Sequence, residues 1–223
     1  MVDHPVAVKF CGLTRPQDAE LAVELGARYC GVIFAGGPRL LTPARAQAVL
    51  ASVNGTGVAR VGVFGVQDAD SILQIADETA LDVLQLSRSV DAAQLVRLRM
   101  QFDGLVWGVA HTQPSVPRAE ADPAFWFDIG ADAVVLDAAV EGQLGGTGVA
   151  LDWAALAPDV ARLRARGRVV LAGGLRPENV ARAIALASPD VVDVSSGVES
   201  TPGIKDPERM RAFARAAHAH EVR

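Results

Sequence analysis

Short apolar segments alternate with amphipathic, helix-like segments eight times along this chain of 223 residues. Short apolar strands that are each followed by a helix are typical of parallel sheets with helices on the outside. The strands are predicted at 6–10, 29–34, 58–64, 81–86, 104–109, 132–137, 169–174 and 190–197. The helices are predicted at 18–26, 43–53, 68–79, 91–102, 122–130, 152–167, 177–187 and 206–220. Eight such units, in a chain close to the roughly 250 residues usual for the fold, predict an α/β protein with a closed (β/α)8 TIM barrel, formed by residues 1–223 as a single domain.

An open, doubly wound sheet is the main alternative for alternating strands and helices. That fold normally has the pattern G-x-G-x-x-G after its first strand, where the glycines leave room for a dinucleotide. The corresponding segment of this chain reads KFCGLTRPQD at 9–18 and lacks the pattern. The sequence therefore favours the closed barrel.

Composition and charge argue against several classes of protein. A formal net charge of -5 is unlike the basic surface that binds nucleic acid. The first residues, MVDHPVAVKF, lack the features of a signal peptide, and no apolar run approaches the roughly 20 residues of a membrane span. We therefore expect a cytoplasmic protein with no nucleic-acid or membrane partner, whose two cysteines are reduced.

The carboxyl ends of the strands hold the reacting groups in a barrel of this type. Side chains alternate along a strand, so Lys9 and Cys11 share one face, and lysine is too polar for the layer between sheet and helices. Asp193 and Ser195 share a face of the eighth strand, which lies beside the first strand when the barrel closes. We therefore predict that Lys9 and Asp193 interact inside the barrel mouth.

The two cysteines have different surroundings in the sequence. The ammonium of Lys9 could lower the pKa of the Cys11 thiol and favour the reactive thiolate. The alternative is that Cys11 is a small buried hydrophobic residue without a chemical role. Cys30 lies inside the second strand among apolar neighbours, and we predict that it is structural.

Two other strand ends offer titratable groups. Asp137 ends the sixth predicted strand, where apolar neighbours could raise its carboxyl pKa and suit it to be a general acid. The alternative is a carboxylate that accepts backbone hydrogen bonds at the strand end. His111, which follows the fifth predicted strand, is a weaker candidate for an acid or base.

Glycine-rich loops follow the last two predicted strands, with AGGL at 172–175 and DVSSG at 193–197. Backbone N–H groups at these positions of a barrel often bind phosphate. The pair of loops predicts a phosphorylated small molecule as the ligand. Arg39, in the loop after the second strand, could hold a carboxylate with its guanidinium, or be a solvated surface charge.

These segments together resemble the phosphoribosylanthranilate isomerase family over nearly the whole chain. The resemblance rests on KFCGLTRPQDA (9–19), GPRLLTPARA (37–46), VGVF (61–64), VVLDA (134–138), GQLGGTG (142–148), LAGGLRPENV (171–180) and VDVSSGVESTPGIKD (192–206). It implies an isomerase of tryptophan biosynthesis that uses no metal and no cofactor. The implied reaction is the Amadori rearrangement of N-(5-phosphoribosyl)anthranilate to 1-(2-carboxyphenylamino)-1-deoxyribulose 5-phosphate.

The resemblance also implies roles for individual residues. Asp137 would be the general acid that opens the ribose ring, and Cys11 the general base that removes the proton from C2. Arg39 would hold the anthranilate carboxylate, while glycine and serine N–H groups would bind the phosphate. The predicted substrate-contacting residues are Lys9, Arg39, Gly146, Gly173, Gly174, Asp193, Ser195, Ser196 and Gly197. The expected partner is a small phosphorylated substrate, and the chain is expected to be a monomer or a weak homodimer.

The chain departs from the family pattern after the fourth strand. The family commonly reads QLHG there, whereas this chain reads QLSR from Gln85 to Arg88, so the histidine contact is absent and Ser87 or Arg88 could replace part of it. Two other functions stay open at this point. One is the related sugar-phosphate isomerase of histidine biosynthesis, which uses paired aspartates, and the other is a binding module without catalytic activity.

Overall fold

Eight parallel strands form a closed barrel in the order of the sequence, as predicted. The computed structural model describes residues 5–87, 92–111, 122–137 and 152–219. The strands are β1 (Ala7–Phe10), β2 (Tyr29–Ile33), β3 (Ala59–Phe64), β4 (Val83–Leu86), β5 (Leu105–His111), β6 (Ala133–Asp137), β7 (Arg168–Leu171) and β8 (Val191–Val194). Strand β1 pairs with β8 and places Lys9 directly opposite Asp193, which closes the barrel.

A helix follows each of these strands in the described part of the chain. The helices are α1 (Pro16–Glu24), α2 (Pro43–Leu50), α3 (Ala69–Thr79), α4 (Ala92–Gln101), α5 (Phe125–Asp128), α6 (Trp153–Arg164), α7 (Val180–Ala187) and α8 (Pro207–His218). Aspartates at the N-caps of α3, α6 and α8 accept backbone N–H bonds, which explains where those helices begin. None of the described helices is long and apolar enough to cross a membrane.

The structure differs from the prediction at several element ends. Strand β5 extends to His111, which is therefore the last residue of the strand and does not follow it. Residues 177–179 form a turn, so α7 begins at Val180. The sequence also did not predict the chain path after β8. A single 3-10 turn, Ser196–Val198, leads into an antiparallel hairpin of β9 (Glu199–Thr201) and β10 (Ile204–Lys205).

Alternating side chains of the strands form two separate apolar layers. The outer layer packs the strands against the helices and includes Phe10 and Leu136. The inner layer fills the barrel and includes Val135 and Val191, with Trp107 fully buried in it. The helices pack only on the outward face of the strands. Polar residues on the inward face near the carboxyl ends of the strands therefore point into the barrel mouth.

Candidate active site

Lys9 and Asp193 form a buried ion pair inside the barrel, which confirms the predicted contact. The Lys9 Nζ atom lies 2.7 Å from Asp193 Oδ2, and the lysine side chain is fully buried. Burial favours the neutral amine, but the Asp193 carboxylate and the nearby Cys11 outweigh it and hold the pKa of Lys9 above its usual value. The ion pair with Asp193 thus favours the charged form of Lys9 beneath the mouth.

Cys11 extends the β1–β8 pairing by one residue beyond the strand. Its N–H donates to the carbonyl of Val194 at 2.9 Å, and the residue is only 6 % exposed. Burial raises the pKa of the thiol; the Lys9 ammonium opposes this rise but does not overcome it, and Asp193 adds to it. Lys9 thus acts on the thiol pKa in the direction that the sequence suggested, but burial is the larger influence.

Cys30 lies in the outer apolar layer, on the opposite face of its strand from the barrel mouth. Burial raises the pKa of its thiol to about 12, with only a small opposing effect from Lys9. Its described neighbours are apolar, which is typical of a structural cysteine and agrees with the prediction from the sequence. The two cysteines thus differ in which side of the sheet they face.

Asp137 is the last residue of β6 and stands opposite His111 in the register of β5 and β6. It shares the inward face with Val135, and it is half-buried. Strand β6 is separated from β1 by β7 and β8, so Asp137 and Cys11 approach the mouth from different sides. The general acid role of Asp137 remains a prediction.

Besides Gln85 Oε1 on β4, two buried oxygen atoms at the mouth have no hydrogen-bond partner among the described residues. They are Asp193 Oδ1 and Ser195 Oγ, both on the inward face of β8 or just beyond it. A buried polar atom without a partner costs roughly 1–3 kcal/mol, so such atoms are expected where a ligand supplies the missing bond. Both residues were predicted to contact the substrate.

The glycine loops after β7 and β8 touch each other. A Cβ at Gly197 would lie 1.9 Å from the carbonyl oxygen of Leu175, so only glycine allows this approach. Gly173 and Gly174 have φ of 82° and 66°, a left-handed backbone that turns the loop sharply. Among the described residues, the N–H groups of these three glycines and of Ser196 donate to no backbone carbonyl outside the helices and strands. Their binding of an anion remains a prediction.

Arg39 pairs with a residue that the sequence analysis did not single out. Its Nε and Nη2 atoms donate to the two carboxylate oxygens of Glu199 at 2.8 and 2.7 Å. Lys205 donates to the same carboxylate at 2.9 Å. Burial opposes ionisation of Glu199, but Arg39 and Lys205 outweigh it and hold its pKa below the usual value. Burial lowers the pKa of Lys205, and the attraction of Glu199 only partly offsets this.

Several predicted site positions lie outside the described residues. They are Gly146, with the rest of GQLGGTG at 142–148, and Arg88. Ser87 is described, and its N–H donates to the carbonyl of Phe64 at 2.9 Å. The part of the chain that the structure describes contains no group of three or more His, Cys, Asp or Glu residues that could hold a metal ion.

Comparison with known proteins identifies the family. The sequence model described as "N-(5'phosphoribosyl)anthranilate (PRA) isomerase" matches residues 8–216. The N-(5'-phosphoribosyl)anthranilate isomerases of Paracoccus denitrificans and Ralstonia nicotianae are each 38% identical to this chain. The first match covers 96% of this chain and 98% of the relative, and the second covers 96% and 93%.

Solved structures of the same family share the fold. The phosphoribosyl anthranilate isomerase of Thermotoga maritima is 30% identical, with a TM-score of 0.82, covering 96% of this chain and 99% of that one. The Thermus thermophilus protein is 33% identical, with a TM-score of 0.80, covering 98% and 100%. A family member solved with reduced 1-(o-carboxyphenylamino)-1-deoxyribulose 5-phosphate is 30% identical, with a TM-score of 0.79, covering 96% and 99%. The barrel, the sequence match and these relatives together establish that this chain is an enzyme of the N-(5'-phosphoribosyl)anthranilate isomerase family.

Proposed function

We propose that this enzyme converts N-(5-phosphoribosyl)anthranilate to 1-(2-carboxyphenylamino)-1-deoxyribulose 5-phosphate in tryptophan biosynthesis, with Asp137 as the general acid and Cys11 as the general base. The observation that carries the proposal is the presence of both groups on the inward face at the same end of the barrel. A relative bound to the reduced form of the proposed product supports the choice of substrate.

Ring opening is the first step of the proposed reaction. The Asp137 carboxylic acid donates its proton to the ring oxygen of the ribose, and the bond from C1 to that oxygen breaks. The lone pair of the anthranilate nitrogen forms a double bond to C1, which gives an open-chain iminium ion. Asp137 is left as a carboxylate, and the positive charge on nitrogen prepares C2 to lose a proton.

Proton transfer from C2 is the second step. The Cys11 thiolate takes the C2 proton, and the electron pair of the C–H bond moves toward the iminium nitrogen to form an enolamine. The enolamine then loses its C2 hydroxyl proton and gains a proton at C1, which yields the ketone. The rearrangement is internal to the sugar, so atoms and electrons balance without an external oxidant or reductant.

Lys9 supports the reactive form of Cys11 in this scheme. The thiolate is the base, but burial raises the pKa of the thiol in the free protein. The fully buried ammonium of Lys9 is the nearest source of compensating charge, and it acts to lower that pKa. We infer that Lys9 makes the thiolate attainable, while its contact with Asp193 fixes the ammonium.

The two ends of the substrate would bind on either side of this centre. The N–H groups of Gly173, Gly174, Ser196 and Gly197 would hold the phosphate, since the two loops meet and these groups make no described bond to a backbone carbonyl outside the helices and strands. Arg39 would hold the anthranilate carboxylate. The unpartnered oxygens of Asp193 and Ser195 would accept hydrogen bonds from ribose hydroxyl groups.

Substitution of the two proposed catalytic residues tests the mechanism. Cys11→Ser and Asp137→Asn should each lower kcat by about 10²- to 10⁴-fold, the usual contribution of a general acid or base. The assay follows the fluorescence loss of the anthranilate adduct, and circular dichroism reports the fold. Cys30→Ala is the matched control, because it removes the same side chain from the other face of the sheet, and it should retain activity. Near-normal turnover of either catalytic variant would contradict the assignment.

A further inference from the structure

We propose that Glu199, held by Lys205, is a positioning residue that orients the guanidinium of Arg39 toward the carboxylate of the substrate. This inference rests on the proposed function, in which Arg39 binds the anthranilate carboxylate. Glu199 and Lys205 belong to the β9–β10 hairpin, which follows β8 and the 3-10 turn at the barrel mouth.

Glu199 occupies only one edge of the Arg39 guanidinium. It accepts from Nε and Nη2, at 2.8 and 2.7 Å. A guanidinium has five N–H donors in a rigid plane, so the edge formed by Nη1 and the second N–H of Nη2 remains. No hydrogen bond of the described residues uses that edge. A second carboxylate can therefore bind end-on to Arg39 while Glu199 keeps its own bonds.

Lys205 holds the Glu199 carboxylate in place, so that this carboxylate does not move when Arg39 moves. The Lys205 side chain is fully buried, and its Nζ lies 2.9 Å from Glu199 Oε1 and 3.1 Å from the carbonyl oxygen of Ser195. The backbone carbonyl of Glu199 accepts a further bond from Arg209 Nη1 at 2.7 Å. Both ends of Glu199 are thus anchored independently of Arg39.

The hairpin that carries this pair is also joined to the segment after Cys11. The Thr14 hydroxyl donates to the carbonyl of Gly203, and Arg15 Nη2 donates to the carbonyl of Lys205 at 2.9 Å. The Asp18 carboxylate accepts from the N–H of Lys205 at 3.4 Å. These bonds link the hairpin residues that hold Arg39 to the segment that follows the proposed base, Cys11.

Arg39 itself crosses close to Cys11. A Cβ at Gly12, the next residue, would lie 2.5 Å from Arg39 Cδ and 2.9 Å from Ser195 Oγ. Gly12 also has a φ of 67°, which other residues rarely adopt. Because the arginine stem lies against the backbone beside the base, its orientation sets where a bound aromatic acid stands relative to the thiol.

The charges of the group favour one incoming anion. Arg39 and Lys205 carry two positive charges around the single negative charge of Glu199, which leaves one positive charge to attract a carboxylate. The group is largely buried, so the attraction is weakly screened by solvent. Without the Glu199 charge, the cations of Arg39 and Lys205 would repel each other with no anion between them. Arg39 would then lose its orientation.

The test compares two substrates in Glu199→Gln. One is phosphoribosylanthranilate, and the other is the adduct of aniline with phosphoribose, which lacks the carboxylate. The KM for the carboxylate substrate should rise about tenfold or more, the effect of losing a hydrogen bond between charged groups. Its kcat should change much less, and the KM for the aniline adduct should stay the same. Asp82→Asn is the matched control, since Asp82 binds Nε and Nη2 of Arg60 just as Glu199 binds those atoms of Arg39, and it should leave both KM values unchanged.

Arg39→Ala separates this inference from the proposed function. If wild-type enzyme does not isomerise phosphoribosylanthranilate, the proposed function is wrong, and if Arg39→Ala keeps the preference for the carboxylate substrate, the role proposed for Arg39 is wrong. If both behave as expected, three outcomes for Glu199→Gln overturn the inference. These are an unchanged KM, a KM that rises equally for both substrates, and a lower KM, which would mean that Glu199 competes with the substrate. Thermal unfolding checks that each variant folds. If Glu199→Gln does not fold, Glu199→Asp replaces it, because aspartate keeps the charge but has a shorter side chain. The same rise in KM for the carboxylate substrate is expected.

Discussion

Carboxylates at the two ends of the barrel are used in different ways. At the amino ends of the strands, Asp82, Asp132 and Asp190 each accept the N–H of a residue in the preceding strand, at 2.8, 2.7 and 2.8 Å. Each also pairs with an arginine. At the carboxyl ends, Asp193 has a buried oxygen without a partner among the described residues.

This difference separates stability from function along the barrel axis. The amino-end carboxylates have partners for both oxygens, so they stabilise the strand starts and have no bond to offer a ligand. At the carboxyl ends, polar atoms without a hydrogen-bond partner lower the stability of the protein. Such atoms are expected at a site that binds a substrate. The three predictions below test this comparison.

The largest effect on stability is expected from Lys9→Met. The substitution removes the ammonium and leaves the Asp193 carboxylate buried without its partner. The free energy of unfolding should fall by about 3–5 kcal/mol, measured by urea denaturation. The double variant Lys9→Met with Asp193→Leu should recover most of that loss, because it replaces the whole pair with apolar side chains, and yet remain inactive.

Either of two results would break this part of the comparison. A loss well below 1 kcal/mol for Lys9→Met would mean that water reaches Asp193, so that the mouth is not desolvated. An active double variant would mean that neither charge serves the reaction. In both cases the carboxyl end would resemble the amino end.

Asp132→Ala should have a smaller effect on stability and none on catalysis. The substitution removes the acceptor for the N–H of Val106 and the partner of Arg99. A lost hydrogen bond of this kind should lower the free energy of unfolding by roughly 1–3 kcal/mol. The expected kcat/KM is that of the wild type, because the change lies at the end of the barrel away from the mouth.

A second aspartate provides the control for Asp132. Asp128 pairs with Arg166 at 2.6 Å but is 61 % exposed and accepts no other bond among the described residues. Asp128→Ala should cost less than about 1 kcal/mol, as exposed ion pairs do. Equal losses for the two variants would show that the backbone bond of Asp132 adds nothing, and a drop in kcat/KM would show that the amino end affects the site.

The sequence predicts the barrel and part of the site because those features depend on periodicity. Alternation along β1 and closure of β1 against β8 are enough to place Lys9 beside Asp193. The contact of Arg39 with Glu199 joins a loop residue to a residue of the β9–β10 hairpin 160 positions away, and no local pattern marks it. The pKa of Cys11 was also beyond reach, because its direction depends on how burial balances the charge of Lys9.

The smallest effect concerns the pH dependence of Cys11. Because burial holds its pKa above the usual value, the thiolate fraction should increase only as the pH rises past about 8.5, the ordinary thiol pKa. Alkylation by iodoacetamide in a Cys30→Ala background measures this fraction, and kcat/KM should increase over the same pH range. In Lys9→Met, studied where it is folded, the midpoint of the alkylation curve should move to higher pH. The ammonium of Lys9 lowers the thiol pKa, so its removal raises that pKa. Asp132→Ala should leave the midpoint in place. A midpoint below the ordinary thiol value, or one that moves with Asp132 and not with Lys9, would show that charge at the mouth does not control the base.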